Sequence, residues 1–251
     1  MRHPTLIRLL CGALLLVAGL CRADTVQVAV AANFAQPMQA IATAFKAASG
    51  DELLLSVGAT GKFYTQIKNG APFAVLLAAD VKTPQRLAAE GNALAATEFT
   101  YATGKLVLWS ATPGLVDDQG AVLSHGPFTH LAIADPKLAP YGAAAVQALT
   151  QLGLLPALQG RLVTGDSIGQ AYQFVASGNA ELGFVALSQV SQNGQLSKGS
   201  VWLVPARLYD PLRQDAILLN AGRDQPAARR LLDFLRTEAA KAIIRSYGYD
   251  I

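Results

Sequence analysis

Short β-branched runs alternate with amphipathic stretches along this chain, and small or hydroxyl residues stand at the junctions between them. Thr25 to Ala31 (TVQVAVA) reads as a buried strand. Asn33 follows as a candidate N-cap with Gln36 three residues on, and Ile41, Ala44, Phe45 and Ala48 continue at helical spacing to Ser49-Gly50. Leu53 to Val57 is a second strand, and Thr60 is placed to cap a helix over Gly61 to Asn69. Phe73 to Ala78 is a third strand, and Thr83-Pro84 predicts another helix start that Gly91 closes. After a long extended segment the pattern resumes. Strands are expected at Leu131–Ala134, Arg161–Thr164, Leu182–Ala186 and Val201–Val204. Helices are expected at Gly142–Leu152, from Ser167 to Gly178, and as one final helix from Pro226 to about Tyr247.

Alternation of this kind favours an α/β architecture with helices on both faces of mostly parallel sheets. Two extended segments interrupt it, Tyr101–Trp109 and Leu208–Leu219. They read as crossings between two lobes, which gives a first lobe of 24–104 plus 206–251 and a second of 105–205. The pattern alone equally admits one doubly wound sheet with two long edge strands.

The N-terminus constrains the rest of the composition. Arg2 and Arg8 precede an apolar run from Leu9 to Leu20, and Cys21-Arg22-Ala23 puts small residues three and one positions before Asp24. Residues 1–23 therefore read as a cleaved signal peptide, whose apolar run is too short to span about 30 Å of bilayer. Leu20, ahead of Cys21, argues against a lipid-anchored form. The chain has 20 Lys+Arg against 17 Asp+Glu, and the three basic residues of the leader account for the whole excess. The mature chain is thus formally neutral, which gives no reason to expect nucleic acid as a partner. Cys11 and Cys21, both in the leader, leave with it, so neither a disulfide framework nor a thiolate metal site is expected.

Four turns share one design: Ala31-Ala32-Asn33-Phe34, Gly58-Ala59-Thr60-Gly61, Ala139-Pro140-Tyr141-Gly142 and Gly165-Asp166-Ser167-Ile168. In each a strand ends just before a helix begins. The first N–H groups of a helix lack partners within it and sit at the positive end of its dipole. Several such ends meeting in a crevice would bind an anion without a buried Lys or Arg. Taken singly, each turn is also an ordinary helix cap. Gly58-Ala59-Thr60-Gly61-Lys62 is not a phosphate loop, because two residues separate its glycines where four are needed and Phe63 follows the lysine. His125 and His130 lie in a Gly/Pro-containing loop with no clustered carboxylate, a poor metal site. Ser167 lacks a Gly-x-Ser-x-Gly elbow.

Read in order, these segments resemble the periplasmic molybdate-binding proteins of ABC transporters. Ala31-Ala32-Asn33-Phe34 is similar to the family's opening turn, and Gly58-Ala59-Thr60-Gly61 falls where the family has a serine-rich one. Leu77-Ala78-Ala79-Asp80, Ala134-Asp135-Pro136, Ala139-Pro140-Tyr141-Gly142, Leu182-Gly183-Phe184-Val185 and Arg245-Ser246-Tyr247-Gly248-Tyr249 continue the series. The resemblance implies a two-lobed type II periplasmic binding protein fold, each lobe a mixed sheet flanked by helices, with the ligand in the cleft between lobes. It implies a monomeric periplasmic protein that captures molybdate or tungstate and delivers it to a membrane permease. No cofactor, direct metal ligand or catalytic residue is expected.

Carried over by position, Asn33 and Thr60 would donate from the first lobe through side chain and backbone, and Tyr141 and Ile168 would donate backbone N–H from the second. Gly61 and Lys62 are further candidate contacts. Two residues depart from the family pattern: Asn33 replaces a serine and Ala186 replaces a tyrosine. The Tyr141 phenol is therefore expected to stand in for the missing tyrosine from the opposite wall. The departures leave open another tetrahedral oxyanion. A hydrolase or transferase acting on a phosphorylated or sulfated small molecule is the rival from a different class, and it lacks a general base or nucleophile near the turns.

Overall fold

The computed structural model describes residues 24–251. The leader read over 1–23, its cleavage site and both cysteines lie outside the described residues. Among the described residues, no helix is long and apolar enough to cross a membrane.

The strands form two separate five-stranded sheets. The first contains β1 (Thr25–Ala31), β2 (Glu52–Gly58), β3 (Val75–Leu77), β4 (Phe99–Gly104) and β12 (Leu212–Leu218), in the order β2-β1-β3-β12-β4. The second contains β5 (Leu106–Ser110), β6 (Leu131–Ala134), β7 (Leu162–Gly165), β8 (Leu182–Ala186) and β11 (Ser200–Leu203), in the order β11-β5-β8-β6-β7. A small antiparallel pair, β9 (Ser191–Gln192) and β10 (Gln195–Leu196), projects between β8 and β11.

Both sheets are mixed. β1 runs parallel to β2 and β3, while β12 is antiparallel to β3 and β4. In the second sheet β6 runs parallel to β7 and β8, while β5 is antiparallel to β8 and β11. This resolves the sequence ambiguity in favour of two lobes. The extended segment 99–110 is two strands, one in each sheet, and Lys105 alone separates them. The return crossing runs from β11 to β12. Strands covered by helices on both faces read as apolar runs: β8 is buried at all five positions, whereas the edge strand β2 has no fully buried residue.

Several element ends differ from the sequence reading. Asn33 does not cap a helix: it lies inside a 3-10 turn (Ala32–Phe34), and the following helix, Ala35–Ser49, has no side-chain cap. Thr60 is the first residue of the Thr60–Lys68 helix, with Ala59 at the cap position. Thr83 lies inside Lys82–Ala89, and the Asp80 carboxylate takes the capping role by accepting from the Thr83 N–H at 2.8 Å and its hydroxyl at 3.2 Å. A charged acceptor placed just ahead of the helix outcompetes a threonine hydroxyl for that role. The single C-terminal helix is two, Pro226–Leu235 and Glu238–Ser246. Thr237 breaks it by accepting from the Ala240 N–H at 3.3 Å, an N-cap that Glu238 in the first turn reinforces.

Candidate functional site

Three of the four turns hold their helix starts at the carboxyl ends of strands facing the gap between the sheets, and the fourth holds its 3-10 turn there. Around one cavity they bring together Ala31, Ala32, Asn33, Gly58, Ala59, Thr60, Ala79, Ala139, Pro140, Tyr141 and Ile168. Asn33, Thr60, Tyr141 and Ile168, the four residues singled out from sequence, all line it and are all buried. None of the lining side chains carries a charge.

Close packing places each donor. The Pro140–Gln151 helix starts hard against the end of β6, and Gly142 permits it: a Cβ there would lie 2.3 Å from the Ala134 carbonyl oxygen. In the first turns of the Thr60–Lys68, Pro140–Gln151 and Ile168–Ala176 helices, later N–H groups fold back onto Ala59, Ala139 and Ser167. The N–H groups of Thr60, Tyr141 and Ile168 precede those bonds and have no acceptor within their helices. None of the three donates to another backbone carbonyl among the described residues. Ser167 caps its helix as expected, accepting from the Gln170 N–H at 3.3 Å. Thr60 Oγ1 accepts from the Ala79 N–H at 3.0 Å, which leaves the hydroxyl proton for another acceptor.

The other two candidates sit at the rim. The Gly61 N–H donates to the Leu138 carbonyl across the gap at 2.9 Å. Lys62 Nζ pairs with Asp166 at 2.6 Å, again from one lobe to the other. Neither residue lines the cavity.

Below the cavity lies a buried polar network that sequence reasoning missed. Asn33 Nδ2 donates to Gln214 Oε1 at 2.8 Å and to the Tyr249 hydroxyl at 3.0 Å. Gln214 Nε2 donates to the Tyr141 hydroxyl at 3.2 Å, and the Tyr101 hydroxyl lies 3.0 Å from Gln214 Oε1. Ser188 Oγ donates to the Asn33 carbonyl at 2.7 Å. The Tyr141 hydroxyl thus engages Gln214 at the crossing between lobes, close enough to Gly104 that a Cβ there would lie 1.9 Å from it. Burial pushes the phenols of Tyr101 and Tyr141 well above their ordinary value and that of Tyr249 up to about 12, so all three stay protonated donors near neutrality. Edge-on contacts of Phe34 with Tyr101 at 4.7 Å and with Tyr249 at 5.4 Å fix the rings. Nothing in the sequence marked the network: Gln214 sits in the polar run Arg213-Gln214-Asp215 of β12, and only the fold buries it.

Two mixed sheets joined by two crossings, with helix starts from both converging on one cavity, define a type II periplasmic binding protein fold. The model of the bacterial extracellular solute-binding protein family matches residues 26–250, and the chain belongs to that family. It is 58% identical over 236 residues to the molybdate-binding protein ModA of Azotobacter vinelandii, covering 94% of each chain. It is 50% identical over 252 residues to the molybdate-binding protein ModA of Rhodobacter capsulatus, covering 99% of this chain and 98% of that one. The solved periplasmic molybdate-binding protein of Azotobacter vinelandii superimposes with a TM-score of 0.87 at 43% identity, covering 90% of this chain and 99% of that one.

Proposed function

We propose that this protein is the solute-binding subunit of an ABC importer. It captures molybdate, or the nearly isosteric tungstate, between its lobes and delivers it to a membrane permease. The observation that carries this reading is the meeting of first-turn N–H groups and the Thr60 hydroxyl, from both lobes, around one small uncharged cavity. A buried dianion held by neutral donors needs many of them, since each charge-assisted hydrogen bond replaces one to water. Asn33 and Thr60 contact the anion from the first lobe, and Tyr141 and Ile168 through backbone N–H from the second. Gly61 and Lys62 close the rim over it. The lobes are 24–104 with 206–251, and 105–205. The protein works as a periplasmic monomer after cleavage of residues 1–23, with no cofactor and no chemical step.

A thermal-shift panel of molybdate, tungstate, chromate, sulfate and phosphate on the mature protein tests this. Ligand at 100 times its Kd stabilises by about 2.7 kcal/mol, and a domain of this size gains about 2–4 °C per kcal/mol. Molybdate and tungstate are expected to raise Tm by about 5–10 °C at concentrations where sulfate and phosphate do nothing. A larger shift with sulfate or phosphate, or none with any oxyanion, would overturn the reading.

A further inference from the structure

Asn33 lines the cavity, yet both of its amide protons go elsewhere, to Gln214 and to Tyr249. Its Oδ1 is buried and has no hydrogen-bond partner among the described residues. An acceptor has the wrong polarity for an anion, and a buried acceptor left unpaired is costly in its own right. Both difficulties have the same remedy. The oxygen and nitrogen of a side-chain amide are alike in shape, so a half-turn of the terminal bond exchanges donor and acceptor while the heavy atoms stay in place.

Asn33 cannot make that turn alone. Its Oδ1 would then take the position 2.8 Å from Gln214 Oε1, acceptor against acceptor. When Gln214 turns as well, its Nε2 donates to Asn33 Oδ1 and to the Tyr101 hydroxyl. Tyr101 in turn donates to the Ala78 carbonyl at 3.0 Å. Gln214 Oε1 accepts from the Tyr141 hydroxyl over the same 3.2 Å. Tyr249, whose hydroxyl donates to the Asn33 carbonyl at 2.9 Å and lies 3.0 Å from the Asn33 amide, shifts its proton to Oδ1, and Ser188 keeps its own bond to that carbonyl. The network is then fully paired, and Asn33 Nδ2 presents two protons to the cavity.

We infer that Gln214 is a positioning residue that sets the polarity of Asn33, and that in the anion-bound protein both amides are turned so that Asn33 donates to the ligand. This rests on the oxyanion reading above. Tyr141 belongs to the second lobe, while Asn33, Tyr101 and Gln214 belong to the first. Tyr141 meets Gln214 across the lobes in either state, as acceptor before the turn and as donor after it.

The experiment is calorimetry with sodium molybdate on wild type, Asn33→Ala, Gln214→Met and the double variant, after thermal melts establish that each is folded. Asn33→Ala is expected to weaken binding at least tenfold. Gln214→Met, of similar size but without the amide, should do nearly as much, and the double variant should be no worse than Asn33→Ala alone. Such coupling marks a residue that acts through another. Wild-type affinity in Gln214→Met, or losses that multiply in the double variant, would overturn the inference. Absence of oxyanion binding by wild type would remove the parent reading and this one with it. Should Gln214→Met not fold, NMR on molybdate-bound wild type decides. Contacts from the Gln214 Nε2 protons to the Tyr101 ring are expected, and contacts to the Tyr141 ring instead would refute the turned state.

Discussion

Thr60 reaches the cavity with one of its hydrogen-bonding capacities already in use, since its oxygen accepts from the Ala79 N–H at 3.0 Å. Its proton is thereby aimed away from Ala79. A hydrogen bond to a charged group contributes about 1.5–3 kcal/mol, so Thr60→Val should weaken molybdate binding by about 10- to 100-fold in calorimetry. The Tyr141 side chain predicts a different outcome. Its hydroxyl bonds to Gln214, a neutral contact of about 1 kcal/mol, so Tyr141→Phe should cost about fivefold in affinity. Loss of 100-fold or more would instead put the phenol on the anion, as expected from the missing tyrosine at Ala186. Asn33, Thr60, Tyr141 and Ile168 were legible as candidates because each lies in a strand-to-helix turn, although Asn33 sits inside a 3-10 turn and Tyr141 one residue into its helix. Gln214 was not. A glutamine in a strand is ordinary when it faces water, and only the tertiary structure puts this one in a fully buried register beside Asn33.

At the scale of elements, the start of β2 is tied to the C-terminal Pro226–Leu235 helix by an ion pair. Asp51 is buried and accepts from Arg230 Nε at 2.8 Å and from Nη2 at 3.0 Å. The guanidinium holds the Asp51 carboxyl below its usual range. Removing one partner of a buried pair costs about 3–5 kcal/mol. Because the Arg230 side chain is 45% exposed and screened by solvent, Arg230→Ala should lower the urea midpoint at neutral pH by less than loss of a fully buried pair would. The sign with pH follows from the direction of the shift. A carboxyl whose folded value is depressed contributes fully above its unfolded value of about 3.9 and loses that contribution as pH falls through the folded value. The gap between wild type and Arg230→Ala should therefore close in acid, and a constant gap down to pH 3 would assign it to lost packing. Most elements were readable from periodicity, but their ends less so. The Asp80 bond to the Thr83 N–H and the Thr237 bond to the Ala240 N–H set where those helices start. Sequence spacing alone does not fix such bonds.

At the scale of the whole molecule, the two lobes meet backbone to backbone at Gly61, on the rim of the cavity. Its N–H donates to the Leu138 carbonyl at 2.9 Å, and a Cβ at this position would lie 3.1 Å from both the Leu138 Cα and its carbonyl oxygen. The two lobes also meet nearby in the exposed Lys62–Asp166 pair, which contributes little by itself at physiological salt. Alanine at 61 should hold the lobes apart by a few tenths of an ångström, and valine by more. Gly61 lies in the first turn of a surface helix, so neither substitution disturbs the core of either lobe. Overpacking costs about 1–3 kcal/mol, and here that cost falls on the closed state alone. Molybdate affinity should drop by about 5- to 10-fold for Gly61→Ala and about 100-fold for Gly61→Val, while the Tm without ligand stays within about 2 °C of wild type. Small-angle scattering at saturating molybdate should then give a larger radius of gyration for Gly61→Val than for wild type. Equal affinity across the series would mean that the anion is held without the lobes closing to this contact, and the donors of the second lobe would lose their role.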